Sequence, residues 1–172
     1  MIVAAFDFDG TLTTRDSLWL FLRYFRGRWG FWWRTFSLLP TLIAFRMGWL
    51  KGYQAKERVL ARFLKGVDSE KIFEKGEAFT QEVLPKYLRK EALDRLAWHQ
   101  RKGHTCFLVT ASPSFWTLSF ANQQRLTLLS TLPLIRNGIF TGRIEGKNNQ
   151  GPEKVNRLEK ALASYEVRER FA

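Results

Sequence analysis

An apolar run that ends in two carboxylates does most to limit what this chain can fold into: Ile2-Val3-Ala4-Ala5-Phe6, followed at once by Asp7-Phe8-Asp9-Gly10-Thr11. A short run rich in strand formers reads as a buried strand, and Asp-Gly marks a tight turn behind it. A second such run, Thr-Cys-Phe-Leu-Val-Thr at 105–110, closes on Ala-Ser-Pro-Ser at 111–114. Elsewhere apolar residues recur on a helical period. Helices are predicted over 17–53 as a hairpin broken at Gly-Arg-Trp-Gly, over 56–64, and over 69–88 with Ser69 as N-cap. Further helices are predicted over 91–102, after Ser114 as cap, and over 153–162 behind Pro152. Residues 126–135 predict a strand, and Asn137-Gly138 a turn into a hairpin partner at 139–144. Strand, long helical insertion, helix, strand, helix is the pattern of an α/β fold with parallel strands.

The length, 172 residues, suits one domain with an insertion rather than two full domains. One cysteine, Cys106, excludes an intrachain disulfide framework and a multi-thiolate zinc site, and two histidines leave little for a histidine-rich metal site. The net charge of +12 points to an anionic partner: phosphate, nucleic acid or membrane lipid. That charge is uneven. Residues 17–56 contain no acid, but carry Arg23, Arg26, Arg28, Arg34, Arg46, Lys51 and Lys56, together with twelve of the 26 aromatic residues. Carboxylates at 7 and 9 lie where a secretory signal needs an apolar core. The longest apolar-leaning stretch, 35–45, is short of the roughly 18–20 residues of a spanning helix. It suits a buried helix or an interfacial or re-entrant segment.

Asp7 and Asp9 straddle Phe8 at the C-terminal end of the first strand, the edge at which open α/β sheets bind ligands. Two acids so close can bind Mg²⁺, or divide the work of nucleophile and general acid/base. A polar strand end with a turn-forming Asp-Gly is the competing reading of that pair. The whole string Asp7-Phe8-Asp9-Gly10-Thr11 resembles the first motif of the haloacid dehalogenase-like (HAD) phosphatase superfamily, Asp-x-Asp-x-Thr after an apolar strand. The resemblance implies a Rossmann-like parallel sheet with an inserted helical cap. It also implies that Asp7 attacks phosphorus, that Asp9 serves as acid and base, and that Mg²⁺ sits on the Asp7 carboxylate and the Asp9 carbonyl. Phe107-Leu108-Val109-Thr110 matches the second motif, whose Thr110 hydroxyl and N–H groups near Ala111 would bind phosphoryl oxygens. Gly151-Pro152-Glu153-Lys154 resembles the Gly-x-x-Lys third motif of the phosphoserine phosphatase-like subfamily IB. Lys154 is then the cation beside the nucleophile, with Lys147 a second candidate. The three matches fall in the right order, about 100 and 44 residues apart.

The resemblance covers residues 1–16 and 88–172 as core and 17–87 as cap. A fourth motif, an acidic Gly-Asp strand end completing the Mg²⁺ site, has no counterpart before Ala172. Glu166 and Glu169 lie in a polar stretch and read as surface residues. The expectation is a C-terminally incomplete core with Mg²⁺ affinity and turnover severely reduced. The basic, Trp-rich insertion is similar to that of membrane-associated phosphatidylglycerophosphatase C-like members, since Trp favours the headgroup level and Arg reaches lipid phosphate. A cap helix pair packed on itself, with its arginines in solvent, is the other reading.

The resulting expectation is a Mg²⁺-dependent phosphomonoester hydrolase working through an aspartyl-phosphate, on a phosphorylated small molecule or lipid headgroup. The chain would be cytoplasmic, peripheral or re-entrant at the inner face of the membrane. The alternative is a non-catalytic protein that binds a membrane surface or phosphorylated ligand through the basic aromatic hairpin. Nucleic-acid binding fits less well, because the aromatics lie in apolar runs instead of interleaving with bases along a polar element.

Overall fold

The computed structural model describes residues 1–171. Strand β1 (Ile2–Phe6) is the apolar run read from the sequence, with Val3 and Ala4 fully buried. It lies in a five-stranded sheet of order β4-β3-β2-β1-β5 with β2 (Thr105–Pro113), β3 (Thr127–Arg136), β4 (Ile139–Glu145) and β5 (Glu169–Phe171). β5, β1, β2 and β3 run parallel, and β4 returns antiparallel from the Asn137-Gly138 turn. Parallel neighbours need long crossovers, and the one from β1 to β2 holds the whole helical insertion.

That crossover contains α1 (Ser17–Ser37), α2 (Leu39–Arg46), α3 (Gly52–Leu64), α4 (Ser69–Glu82), a 3-10 turn at Leu84–Tyr87, and α5 (Lys90–Arg101). After β2 come α6 (Ser114–Gln123) and, behind β4, α7 (Pro152–Leu162). The expected break at 27–30 is a kink at Gly27 inside α1, where φ is 69°. Three local expectations are corrected. Asp68, not Ser69, caps α4, because its carboxylate accepts from the N–H groups of Glu70 and Lys71. That helix ends at Glu82 instead of 88, since Pro85 removes a donor and the chain tightens into the 3-10 turn. Ser114 is the first helical residue of α6, and Pro113 takes the cap position at the end of a longer β2.

The polar C-terminal stretch also forms a strand where none was expected. β5 pairs with β1 from Ile2↔Glu169 to Ala4↔Phe171. A ladder is built from main-chain groups, so three residues pair without an apolar run, while Phe171 packs on the His104 ring at 5.8 Å.

One hydrophobic cluster joins sheet and insertion. Phe8 and Leu108 from the sheet side meet Phe21 and Leu22 of α1, Phe63 and Leu64 of α3, Phe79 of α4 and Trp116 of α6. Phe21 stacks on Trp116 at 4.6 Å. The close approach of α4 to α6 depends on Gly76: a Cβ there would stand 1.8 Å from the Phe115 carbonyl oxygen. The far end of the insertion is different. α2 buries none of its residues, and Trp29, Trp33 and Trp49 are 88%, 76% and 72% exposed. The hairpin packs through Phe31, which meets Trp19 and Phe63, and through the buried Leu38, while these other rings stay in solvent. Among the described residues no helix is long and apolar enough to cross a membrane.

Candidate active site

The parallel register sets the site. Phe6 opposes Leu108, so Asp7 and Thr110 emerge one and two residues later at the same end of neighbouring strands. Beyond β1 the chain turns tightly. The Phe8 carbonyl accepts from the N–H groups of Thr11, Leu12 and Thr13, and Gly10 takes a φ of +81°, which a side chain disfavours. Phe8 itself is fully buried against Phe120, anchoring the turn that carries both acids.

Asp7 stands half-exposed at the strand end. Its Oδ1 accepts from its neighbour's N–H (Phe8, 2.7 Å) and from Lys154 Nζ at 2.8 Å. Lys154 comes from the first turn of α7, so the third sequence match is brought onto the first across the sheet. Lys147 is turned away: it is solvent-exposed and lies 4.0 Å from Glu153.

Asp9 is held from two sides. Oδ1 accepts from the Ser17 N–H at 2.7 Å and Oδ2 from the Ser112 hydroxyl at 2.5 Å. Ser17 Oγ in turn accepts from the Trp116 indole N–H at 2.9 Å. The N-terminus of α1 and the end of β2 thus fix its rotamer. Asp16 caps α1 by accepting from the Leu18 N–H. Burial, and then the nearby Asp9 charge, push its carboxyl above the usual range.

Thr110 is fully buried within β2. Its Oγ1 accepts from the Ser112 N–H at 3.0 Å, and its carbonyl accepts from Asn149 Nδ2 at 3.0 Å. The Ala111 carbonyl accepts from Lys56 Nζ at 2.9 Å. The same ammonium donates to Asn148 Oδ1 at 3.0 Å.

Ser17, Ser112, Lys56, Asn148 and Asn149 were not singled out from the sequence. Ser112 follows the recognised Thr110-Ala111 pair and was legible by proximity. No local signal distinguishes Lys56 from the other bases of its segment, because its position depends on how α3 crosses the sheet end.

The half-exposed carboxylate of Asp7 and the main-chain carbonyl of Asp9, two residues on, are hard donors of the kind Mg²⁺ takes while keeping several waters. Among the described residues no three His, Cys, Asp or Glu side chains cluster as a closed metal cage. An ion here would share its shell with water and a phosphate.

Residues 4–170 match the haloacid dehalogenase-like hydrolase family. The chain is 35% identical to the protein CicA of Caulobacter vibrioides over 160 residues, covering 91% of this chain and 71% of that one. Among solved structures, a protein of unknown function from Bordetella pertussis Tohama I is 32% identical with a TM-score of 0.79, covering 94% of this chain and 74% of that one. A substrate-bound phosphoserine phosphatase superposes with a TM-score of 0.64 over 94% of this chain and 70% of its own; at 16% identity the likeness is one of fold.

Proposed function

The chain belongs to the haloacid dehalogenase-like hydrolases, and from that footing we propose that it hydrolyses a phosphomonoester by covalent catalysis on Asp7. The observation that carries this reading is the Asp7–Lys154 pair, 2.8 Å apart at the mouth of the sheet. A nucleophilic carboxylate needs a neighbouring cation to approach a phosphate dianion, and Lys154 supplies it.

In the proposed sequence an Asp7 carboxylate oxygen attacks phosphorus in line while the bond from phosphorus to the alcohol oxygen breaks. Asp9 hands its proton to that departing oxygen. The ionised Asp9 then removes a proton from water, whose oxygen attacks the aspartyl-phosphate and releases Asp7 and inorganic phosphate. The hydrogen bonds from Ser17 and Ser112 hold Asp9 in place for both transfers. The Thr110 hydroxyl and the N–H groups around Ala111 receive the phosphoryl oxygens in this reading. Asp7 and the Asp9 carbonyl would hold Mg²⁺, which supplies the charge that lets an anion meet an anion.

Release of phosphate from p-nitrophenyl phosphate in Mg²⁺ tests this. Asp7→Asn is expected to fall to background and added chelator to suppress the wild type. Unchanged release by Asp7→Asn overturns the assignment.

For the substrate class we propose a phosphate borne by a membrane lipid, and for the location the inner membrane face. The support is the exposed Trp29, Trp33 and Trp49 surface set among Arg28, Arg46 and Lys51 with no acid between them. The same surface favours one second reading, a protein that binds membranes or phosphorylated ligands without turnover. Membrane binding with no phosphate release by the wild type would select it.

A further inference from the structure

Lys56 is a cation of the inserted helices that ends at the core. It sits on α3, yet its ammonium donates to the Ala111 carbonyl of β2 and to Asn148 in the loop before α7. Both acceptors belong to the sheet end that carries Asp7. Asn148 Oδ1 also accepts from Thr131 on β3, so the loop holding Lys56 is tied to the sheet behind it. Burial lowers the affinity of Lys56 for its proton, while Asp16 and Asp9 raise it and Lys154 lowers it. The four groups therefore share one local field.

An ammonium has three donors, and two of these are committed to the protein. In an in-line displacement the leaving group lies opposite the nucleophile. With Asp7 attacking from the sheet, the leaving alcohol points toward the inserted helices, and Lys56 is the base of α3 that reaches this end. Its charge is thus placed for the leaving group, while Lys154 already serves the nucleophile.

We propose that Lys56 is a substrate-specificity residue that selects phosphomonoesters whose alcohol carries a second negative charge and rejects those carrying an ammonium. The proposal rests on the reading of Asp7 as nucleophile for its orientation. Lys56 fills from within the protein the carbonyl and amide acceptors that an ammonium on a substrate would use.

Three phosphomonoesters separate the cases: phosphoglycolate, p-nitrophenyl phosphate and phosphoethanolamine, whose alcohols carry a carboxylate, no charge and an ammonium. Their binding and their hydrolysis are measured in Mg²⁺ on wild type, Lys56→Met and Lys56→Arg. Wild type is expected to bind phosphoglycolate best and phosphoethanolamine worst. Lys56→Met should lose about ten- to hundredfold in affinity for phosphoglycolate and little for p-nitrophenyl phosphate, the size of one charge-assisted hydrogen bond. Lys56→Arg should restore the order. If Lys56→Met does not fold, Lys56→Gln carries the same comparison, and a wild type that fails to rank the three esters in this order overturns the proposal without any variant. Hydrolysis of all three with equal affinity, or a uniform loss in Lys56→Met, overturns the role of Lys56 and leaves the phosphatase reading standing. The expected binding order without any hydrolysis does the reverse.

Discussion

The His99 imidazole lies among Phe6, Trp98 and Phe171, with ring centroids 5.8, 4.8 and 5.0 Å away, and its Nδ1 stands 2.9 Å from that of His104. Only one of these two nitrogens carries a proton in such a contact, so the pair requires at least one neutral ring. Burial, then Arg95, then His104 lower the affinity of His99 for a proton below its ordinary value of 6.5. The unfolded chain therefore binds that proton first as pH falls. Stability from His99 is complete above about 6.5 and is lost as pH drops toward the lower folded value. Melting temperature is expected to decline between about pH 7.5 and 5.5, and His99→Phe to flatten that decline. Equal slopes in the two proteins would show that another group titrates. Asp7 and Asp9 were legible at this scale as candidates from the strand end that carries them, and Lys154 only through the family resemblance of its Gly-x-x-Lys string. The His99–His104 contact is also local, made where the chain leaves α5 and the His104 N–H donates to the His99 carbonyl. Its enclosure by Phe6 and Phe171 was not legible, because those rings come from β1 and β5.

Among the elements, the α4–α6 contact is the most sharply constrained. An exposed Gly→Ala change inside a helix normally gains about 1 kcal/mol. Gly76→Ala has the opposite expected sign, because the new methyl would meet the Phe115 carbonyl at 1.8 Å and neither main chain moves cheaply. Overpacking of this kind costs about 1–3 kcal/mol, or roughly 2–12 °C in a chain of this length. A thermal melt of Gly76→Ala matching or exceeding wild type would mean that α4 slides without cost. Element existence was readable from period and punctuation: β1, β2, the Asn137-Gly138 hairpin and α7 all stand where their residues indicate. Ends were less so. Asp68 takes the cap from Ser69 because the chain is still extended at Asp68 and turns helical at Ser69, which aims the Asp68 carboxylate at the N–H groups of Glu70 and Lys71. β5 carries no apolar signal because an edge strand is held by its ladder.

At the scale of the molecule, two surfaces stand out. The sheet mouth presents Asp7, Asp9, Lys154 and Lys56. The insertion presents Trp29, Trp33, Phe36, Ile43 and Trp49, all largely exposed, with Arg28 and Arg46 in the same acid-free stretch. Exposed aromatic rings in such number suit a partner surface, and the basic side chains of the same stretch favour an anionic one. Co-sedimentation with phosphatidylglycerol vesicles is expected, weakening with salt, with little retention by phosphatidylcholine vesicles. Replacing Trp29 and Trp33 by Ser together should cut binding about tenfold or more, in line with the loss of two interfacial aromatic rings. Equal binding to both vesicle types would remove the anionic-lipid reading.

By itself the sequence determined the candidate nucleophile and its lysine through the family resemblance, and from its own pattern the alternation of elements, the two strand ends of the candidate site and the acid-free basic stretch at 17–56. Each of these is local, written in period, spacing or residue type along a short stretch. Tertiary structure decided the rest. It put Lys154 rather than Lys147 on Asp7, drew Lys56 across from the insertion, held Asp9 between Ser17 and Ser112, and left Trp29, Trp32 and Trp33 of the kinked helix exposed while Trp19 packs inward. These outcomes depend on the angles at which helices cross the sheet. Those angles follow from the close packing of side chains tens of residues apart, and no local pattern encodes them.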